Sequence, residues 1–366
     1  MYERVLDERQ VARTTIDTIR STTDAPLYTC IEAARNLMAV IAPFIQDESF
    51  SRIRKAVDEF TVCVDDCYDY HFLMELKENL SQIFTEKDEL SFSYDQDDDV
   101  IVKYLGLFSD CVMKTDPRIP MRVVSMDDFE WLTHLINVYQ MDQNYAVRRA
   151  GLKCIASLTD ACPDLIPFLL NSRLPEVLAL DFQTQDVELS SLHLLALELL
   201  TITYSTEKTP PLHHFEFFDA NFFMRLIKHL RDHPTEILNF IVNFNYLYPE
   251  THENGVINAL EIDPCSLLGE LLVKSVNERI TDRRLKFFID ISKGELYKQL
   301  FYANDLNVFS HIVARELVNS ESKKIRSRCM ECIVRLAEIG YCDGMVLEAV
   351  ENSDFKDTLH PETFRF

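Results

Sequence analysis

Glycine is scarce in this chain, 7 of 366 residues, tryptophan occurs once, as Trp131, and basic residues number 37 against 60 acidic ones. Each shortage excludes something. So few glycines leave little room for tight β-hairpin turns. No glycine-rich phosphate cradle, nucleophile elbow or paired-carboxylate motif occurs, so no catalytic or cofactor-binding residues are expected and nothing argues for an enzyme. A net charge of −23 runs against nucleic acid or an acidic membrane surface as the main partner, because both reward a basic face. No apolar run is long enough to span a bilayer. The opening MYERVLDERQ lacks the apolar core of a signal peptide, and the ten cysteines form no regular framework. The expectation is a soluble, reduced, intracellular protein with no insertion into membranes.

What is present is helical periodicity. With 47% hydrophobic residues there is material for a large core. The stretch Ala146 to Ser205 reads as an amphipathic helix, a Pro-punctuated second helix and a third that is apolar nearly all round, through Val187, Leu189, Leu192, Leu194, Leu195, Leu197, Leu199 and Leu200. Such a unit cannot bury its own core and must stack on copies of itself. The chain supplies them. Val147, Gly151, Cys154, Ile155 and Leu158 share a face whose spacing returns at Ile325, Cys329, Cys332, Ile333 and Leu336. Comparable starts at Asp186, Pro234 and Thr281 give a boundary every ~40 to 48 residues, the period of armadillo and HEAT units. The predicted fold is all-α, an armadillo/HEAT-like α-solenoid with an N-terminal helical extension: residues 1–124 form the extension and 125–366 one continuous solenoid of about five units. Leu194, Leu195, Ile241, Phe244, Phe288, Ile333 and Leu336 are expected in its core, so that Leu195→Asp should unfold it.

Taken in order, helices are expected at Tyr2 to Arg20, Leu27 to Ile45, Phe50 to Val64, Tyr68 to Phe84 and Val100 to Met113. Asp24 and Pro26 read as a helix start. From Ser125, Asp127 and Glu130 supply first-turn acids above a stripe of Phe129, Leu132, Leu135, Ile136 and Tyr139. The tail after Asp354 reads as a capping helix or a frayed end.

Candidate chemistry yields to plainer explanations. Cys63, Cys67 and His71 fall at four-residue steps on one expected helix face, yet a tetrahedral zinc would need a fourth ligand, and buried cysteines serve packing. Cys329 and Cys332 have redox spacing without a βαβ context. Asp95, Asp97 and Asp99 open like a calcium loop, but Val100 and Gly106 stand where glycine and the bidentate glutamate belong. His213 and His214 adjoin Pro210 and Pro211 in a loop. No metal is expected, and chelator or reductant should leave melting unchanged.

One pattern rises above this background. Arg148, Arg149 and Lys153 open one unit; Arg279, Arg283, Arg284 and Lys286 another; Lys323, Lys324, Arg326 and Arg328 a third. Stacking would align them as a basic stripe for an acidic protein surface. The plain alternative is a solvated face paired with neighbouring acids. Arg283 and Arg284 begin a helix on its polar side, so reversing both to Glu is expected to weaken docking and spare the fold.

Three segments then carry a resemblance: LLNSRLPEVLALDFQT from Leu169, NFNYLYPETHENGVINAL from Asn243 and LKFFIDISKGELYKQLFYANDLNVFSHIV from Leu285. Across about Ala146 to Val350, in order and with matching spacing, the chain resembles the leucine-rich armadillo domain of the Nck-interacting Src-homology-3 protein, the WISH/DIP family. The most specific part is Leu174, Pro175, Leu178, Ala179, Asp181, Gln183 and Thr184. The sequence lacks the Src-homology-3 domain and proline-rich segment of the long members and looks like the short form. The resemblance implies a protein that binds and activates the actin-related protein 2/3 complex, starting linear actin filaments without a preformed one and touching the nascent filament end only indirectly. It implies a cytoplasmic place in the cytoskeleton, at cortical actin patches during endocytosis. The tail ETFRF lacks the acidic Trp-bearing end of activators that deliver actin monomers, so monomer delivery is not expected. The alternative is an armadillo adaptor or scaffold for another protein; a cargo groove would need a ladder of Trp and Asn, and one Trp cannot supply it.

Overall fold

The computed structural model describes residues 7–90, 92, 98–183, 188–249 and 252–354, and among these every regular element is helical. The expectations at Asp95, Asp97, Thr184, Asp186, Val187 and the tail beyond Asp354 lie outside the described residues. The chain forms two compact units, residues 1–168 and 169–366. A boundary between residues 124 and 125 falls inside the first of them.

In the first unit the helices are α1 (Glu8–Thr23), α2 (Leu27–Ile41), α3 (Glu48–Asp58), α4 (Tyr68–Glu89), α5 (Asp98–Val112), α6 (Arg118–Ser125), α7 (Glu130–Met141) and α8 (Tyr145–Ala161). The first three pack together, while α4 packs on α5, α6 and α7, and α5 lies along α8. Both α7 and α8, expected in the solenoid, thus pack on helices expected in the extension. Lys87, deep in this unit, is held between Asp98 and Asp142, a buried charge compensated on both sides.

Two helix starts differ from expectation. Asp24 does not begin α2. It ends α1 in the left-handed region, φ 53°, with its carboxylate taken by Arg20 and Lys114 and held below the ordinary range, chiefly by Lys114. Asp127 is not in the first turn of α7, because Asp127, Asp128 and Phe129 all have positive φ, 54°, 50° and 64°. Left-handed backbone costs roughly 1–2 kcal/mol per non-glycine residue. Phe129 stacks on Phe168 at 4.5 Å, a contact that helps hold the turn.

After α9 (Ile166–Asn171), which straddles the division, the second unit comprises α10 (Leu174–Asp181), α11 (Ser191–Thr203), α12 (His214–Phe217), α13 (Ala220–Ile227), α14 (Pro234–Leu247), α15 (Gly255–Ile262), α16 (Ser266–Glu278), α17 (Asp282–Ser292), α18 (Tyr297–Leu300), α19 (Ala303–Asn319), α20 (Lys323–Glu338) and α21 (Gly344–Glu351). Half of these helices start on a side-chain cap, at Ser190, Asp219, Asn254, Thr281, Ser322 and Asp343. Pro234 starts α14 at the position where proline loses no hydrogen bond.

The helices α11, α14, α17 and α20 stack in order, and α16, α19 and α21 stack beside them. Their starts recur at roughly 40 to 48 residues, so this unit is an α-solenoid of the armadillo/HEAT kind. Ile241, Phe244, Phe288, Ile333 and Leu336 are buried as expected. Leu194 and Leu195 are only partly covered, and the sealed positions of α11 are Leu192, Ala196, Leu197, Leu199 and Leu200. Leu195→Asp therefore places its charge at a half-open site and is a milder change than the sequence implied. Gly269 marks the tightest approach: a Cβ there would lie 2.1 Å from the carbonyl oxygen of Leu300.

Candidate functional site

The stacked helices bring one end of α11, one face of α14 and the first turns of α17 and α20 to a common surface. Arg283, Lys324 and Arg328 of the expected stripe gather there, and most of the stripe has work inside the fold. Arg283, in the first turn of α17, reaches back to the chain that leaves α11. Its guanidinium donates to the carbonyls of Tyr204 at 2.9 Å, Ser205 at 2.6 Å and Thr206 at 2.7 Å, and more distantly to Asn243 at 3.3 Å. It also lies 4.5 Å above the Tyr246 ring. The last carbonyls of a helix have no partner within it, and Arg283 supplies one for α11 and the turn beyond.

Arg284 does the same for α16, donating to the carbonyls of Ser275 at 2.8 Å and Arg279 at 2.6 Å. Lys286 donates to the Asn245 carbonyl at 3.3 Å and pairs with Asp290, which also receives Lys293 and the Asn245 amide. Burial pushes the Asp290 carboxyl up, but these donors outweigh it and hold it below the ordinary range. The sequence expectation that Arg283 and Arg284 can be reversed without harm to the fold is corrected here: reversal would set carboxylates against carbonyl oxygens.

Around Tyr246 the groups interlock. Its hydroxyl donates to Asp282 at 2.8 Å; Lys324 donates to the same hydroxyl at 3.3 Å and to Glu207 at 3.0 Å; Arg328 pairs with Asp282 at 2.8 Å and Glu331 at 2.7 Å. Burial raises the Asp282 carboxyl, and Arg328, Tyr246 and Lys324 together bring it below its usual value. A hollow of about 340 Å³ opens at this point, lined by Asp282, Lys323, Lys324, Ser327, Arg328 and Glu331. Arg326 turns away to the Ser320 carbonyl and Asp354.

In this unit Arg279 and Lys323 are exposed, and no side-chain ion pair or hydrogen bond ties them to another described residue. Arg148, Arg149 and Lys153 belong to the first unit. Arg148 donates to the Tyr139 carbonyl at 3.0 Å and covers its ring, whereas Arg149 and Lys153 are exposed. Arg283, Lys324 and Arg328 are thus brought to one cluster through partners that sequence reasoning missed: Tyr246, Asp282 and Glu207. Only the repeat period, which puts Glu207, Tyr246 and Asp282 at successive helix ends, could have flagged them.

The metal candidates also change. Cys63 stands in non-helical chain before α4, Cys67 is the buried residue preceding that helix, and His71 pairs with Asp66 at 3.2 Å, so the expected common helix face does not exist. Cys329 and Cys332 are buried free thiols, and burial pushes Cys329 up to about 12. A different group forms in the second unit: Glu176 on α10 with His213 and His214 at the start of α12, whose ligand atoms all lie within 4.8 Å of one another.

Fold and surface together define a helical-repeat protein of the armadillo/HEAT class whose charged residues bind repeat to repeat. Residues 227–339, from the end of α13 to the residue after α20, match the family described as SPIN90/Ldb17, leucine-rich domain. That match lies within the stretch whose sequence resembles the same family and bears out the resemblance over those residues. An engineered protein of known crystal structure aligns with 99% of this chain and 84% of its own at 13% identity, with a TM-score of 0.41, too low to support any argument. Among the described residues no helix is long and apolar enough to cross a membrane.

Proposed function

We propose that this protein binds and activates the actin-related protein 2/3 complex, starting linear actin filaments without a preformed filament, and that it does so as a non-catalytic partner in the cytoplasm, at cortical actin patches during endocytosis. The observation that carries this is the match of residues 227–339 to the SPIN90/Ldb17 leucine-rich domain, because the family resemblance implies that activity.

Physically, such an activator must hold the arrangement in which the two actin-related subunits sit like neighbours in a filament more tightly than it holds the inactive arrangement, since a ligand shifts an equilibrium only by differential affinity. A repeat stack tied by Arg283, Arg284 and Lys286 is stiff and loses little freedom on docking. Of the expected stripe, the second unit leaves exposed Arg279 and, beside the hollow at the start of α20, Lys323, next to the half-exposed and already paired Lys324. They suit acidic side chains of the complex.

The test is bulk polymerisation of actin with the purified complex and no preformed filaments, joined to microscopy of the products. Wild-type protein should accelerate assembly and give unbranched filaments; protein that accelerates nothing sinks the proposal. Arg279→Glu with Lys323→Glu should slow assembly while leaving the helical spectrum intact. Full activity in that folded variant removes these cations from the contact.

A further inference from the structure

We infer that Glu176, His213 and His214 form a zinc site at the start of the second unit. Sequence alone offers the two histidines without their carboxylate, because Glu176 lies on α10 and the histidines follow Pro210 and Pro211 after the whole of α11. Packing of α12 on α10 closes that separation.

His213 Nε2 lies 2.8 Å from Glu176 Oε1. The two imidazole rings are 4.8 Å apart between centroids and meet edge to face at 87°. With all three ligand atoms inside 4.8 Å, a cation can enter by opening the Glu176–His213 hydrogen bond and drawing the ligand atoms together.

The second observation concerns His214 itself. Its side chain is completely buried among aromatic residues, its Nδ1 lies 2.9 Å from the Tyr204 hydroxyl, and its Nε2 has no hydrogen-bond partner. A buried ring nitrogen without a partner forfeits its hydration with nothing in return. When Nδ1–H turns to the Tyr204 oxygen, Nε2 presents a lone pair, the state a metal ligand requires; a partner on the other ring nitrogen is the usual means of fixing that tautomer.

Two imidazoles, which are borderline donors, with one carboxylate suit zinc over calcium or magnesium. Three protein ligands leave a fourth position for water. His213 is half exposed and Glu176 partly so, which gives the ion a path from solvent. The ion would also fix the loop from Tyr204 to His214, whose first carbonyls Arg283 clamps from the other side.

The experiment uses the full chain, stripped with chelator and then titrated with Zn²⁺ by calorimetry and with Co²⁺ by visible absorption. The expected result is one ion per chain, d–d bands of a four-coordinate site, and a higher melting temperature with zinc than without. Glu176→Gln and His213→Ala change residues at the open side of the site, so both should fold; each should weaken binding at least tenfold. Cys63→Ser should bind as wild type, which separates this site from the exposed thiol. Absence of stoichiometric binding overturns the inference, and so does binding that survives both substitutions in protein with an unchanged helical spectrum.

Discussion

Arg283→Met removes a guanidinium fork and keeps the aliphatic stem that lies on Tyr246. The wild-type group makes three hydrogen bonds of 2.6–2.9 Å to the carbonyls of Tyr204, Ser205 and Thr206. A hydrogen bond with a charged donor is worth about 1.5–3 kcal/mol when its partner is left dry. The three share one donor group and do not add. Ser205 is exposed and Thr206 partly so, and their carbonyls regain water, whereas Tyr204 is buried. One bond lost in full and two in part come to about 3 kcal/mol. For a unit of this size that is a fall of roughly 6–12 °C in melting temperature, or about 1 M in the urea midpoint with the slope unchanged. Equilibrium urea unfolding followed by far-ultraviolet circular dichroism measures it. Arg283→Lys should lose most of the same energy, because a point charge cannot serve three carbonyls. Lys323→Met, at a residue whose side chain has no partner among the described residues, should change stability by less than about 0.5 kcal/mol. An Arg283→Met variant as stable as wild type would refute the clamp, and equal losses in Arg283→Met and Lys323→Met would show that net charge, not the fork, is being measured.

Other consequences can be checked on the same protein. Gly269→Ala drives a methyl group into the Leu300 carbonyl oxygen and should cost about 1–3 kcal/mol or more; a melting temperature equal to wild type would mean that α16 and α18 are not in contact. Without metal, His214 takes up a proton in the unfolded chain before it can in the folded one, since its folded value is lowered to about 4. Its contribution is therefore constant above about pH 6.5 and falls by about 1.4 kcal/mol per pH unit from there down to about pH 4, where both states are charged. His214→Phe should flatten that slope, and an unchanged slope would exclude His214 as its source.

Helix identity and repeat period were legible because a stripe recurring every third or fourth residue survives any detail of packing, as with Ile333 and Leu336 on α20. What was hidden depends on reach. Arg283 does begin its helix on the polar side, but a helical wheel cannot show that this side faces the end of α11, far back along the chain. Asp24 has the composition of a helix start and serves as an end, since the same short carboxylate fits either role and Lys114 decides between them. The three left-handed residues at Asp127 to Phe129 carry no glycine or asparagine to announce them. Glu176 could not be matched to the histidines, because only the fold of the intervening chain brings them together.

The ties around Tyr246 have a consequence for how the repeats come apart. In a simple solenoid each repeat touches only its neighbours, and the array can fray from an end one layer at a time. Here Arg283 of α17 holds the turn after α11 across the intervening α14, and Lys324 of α20 reaches Glu207 in that same turn. Coupling of this range adds to the cost of partial unravelling. The stack should accordingly yield as a block, with amide protons of α11, α14, α17 and α20 exchanging together, and should resist pulling as a splint does and a spring does not.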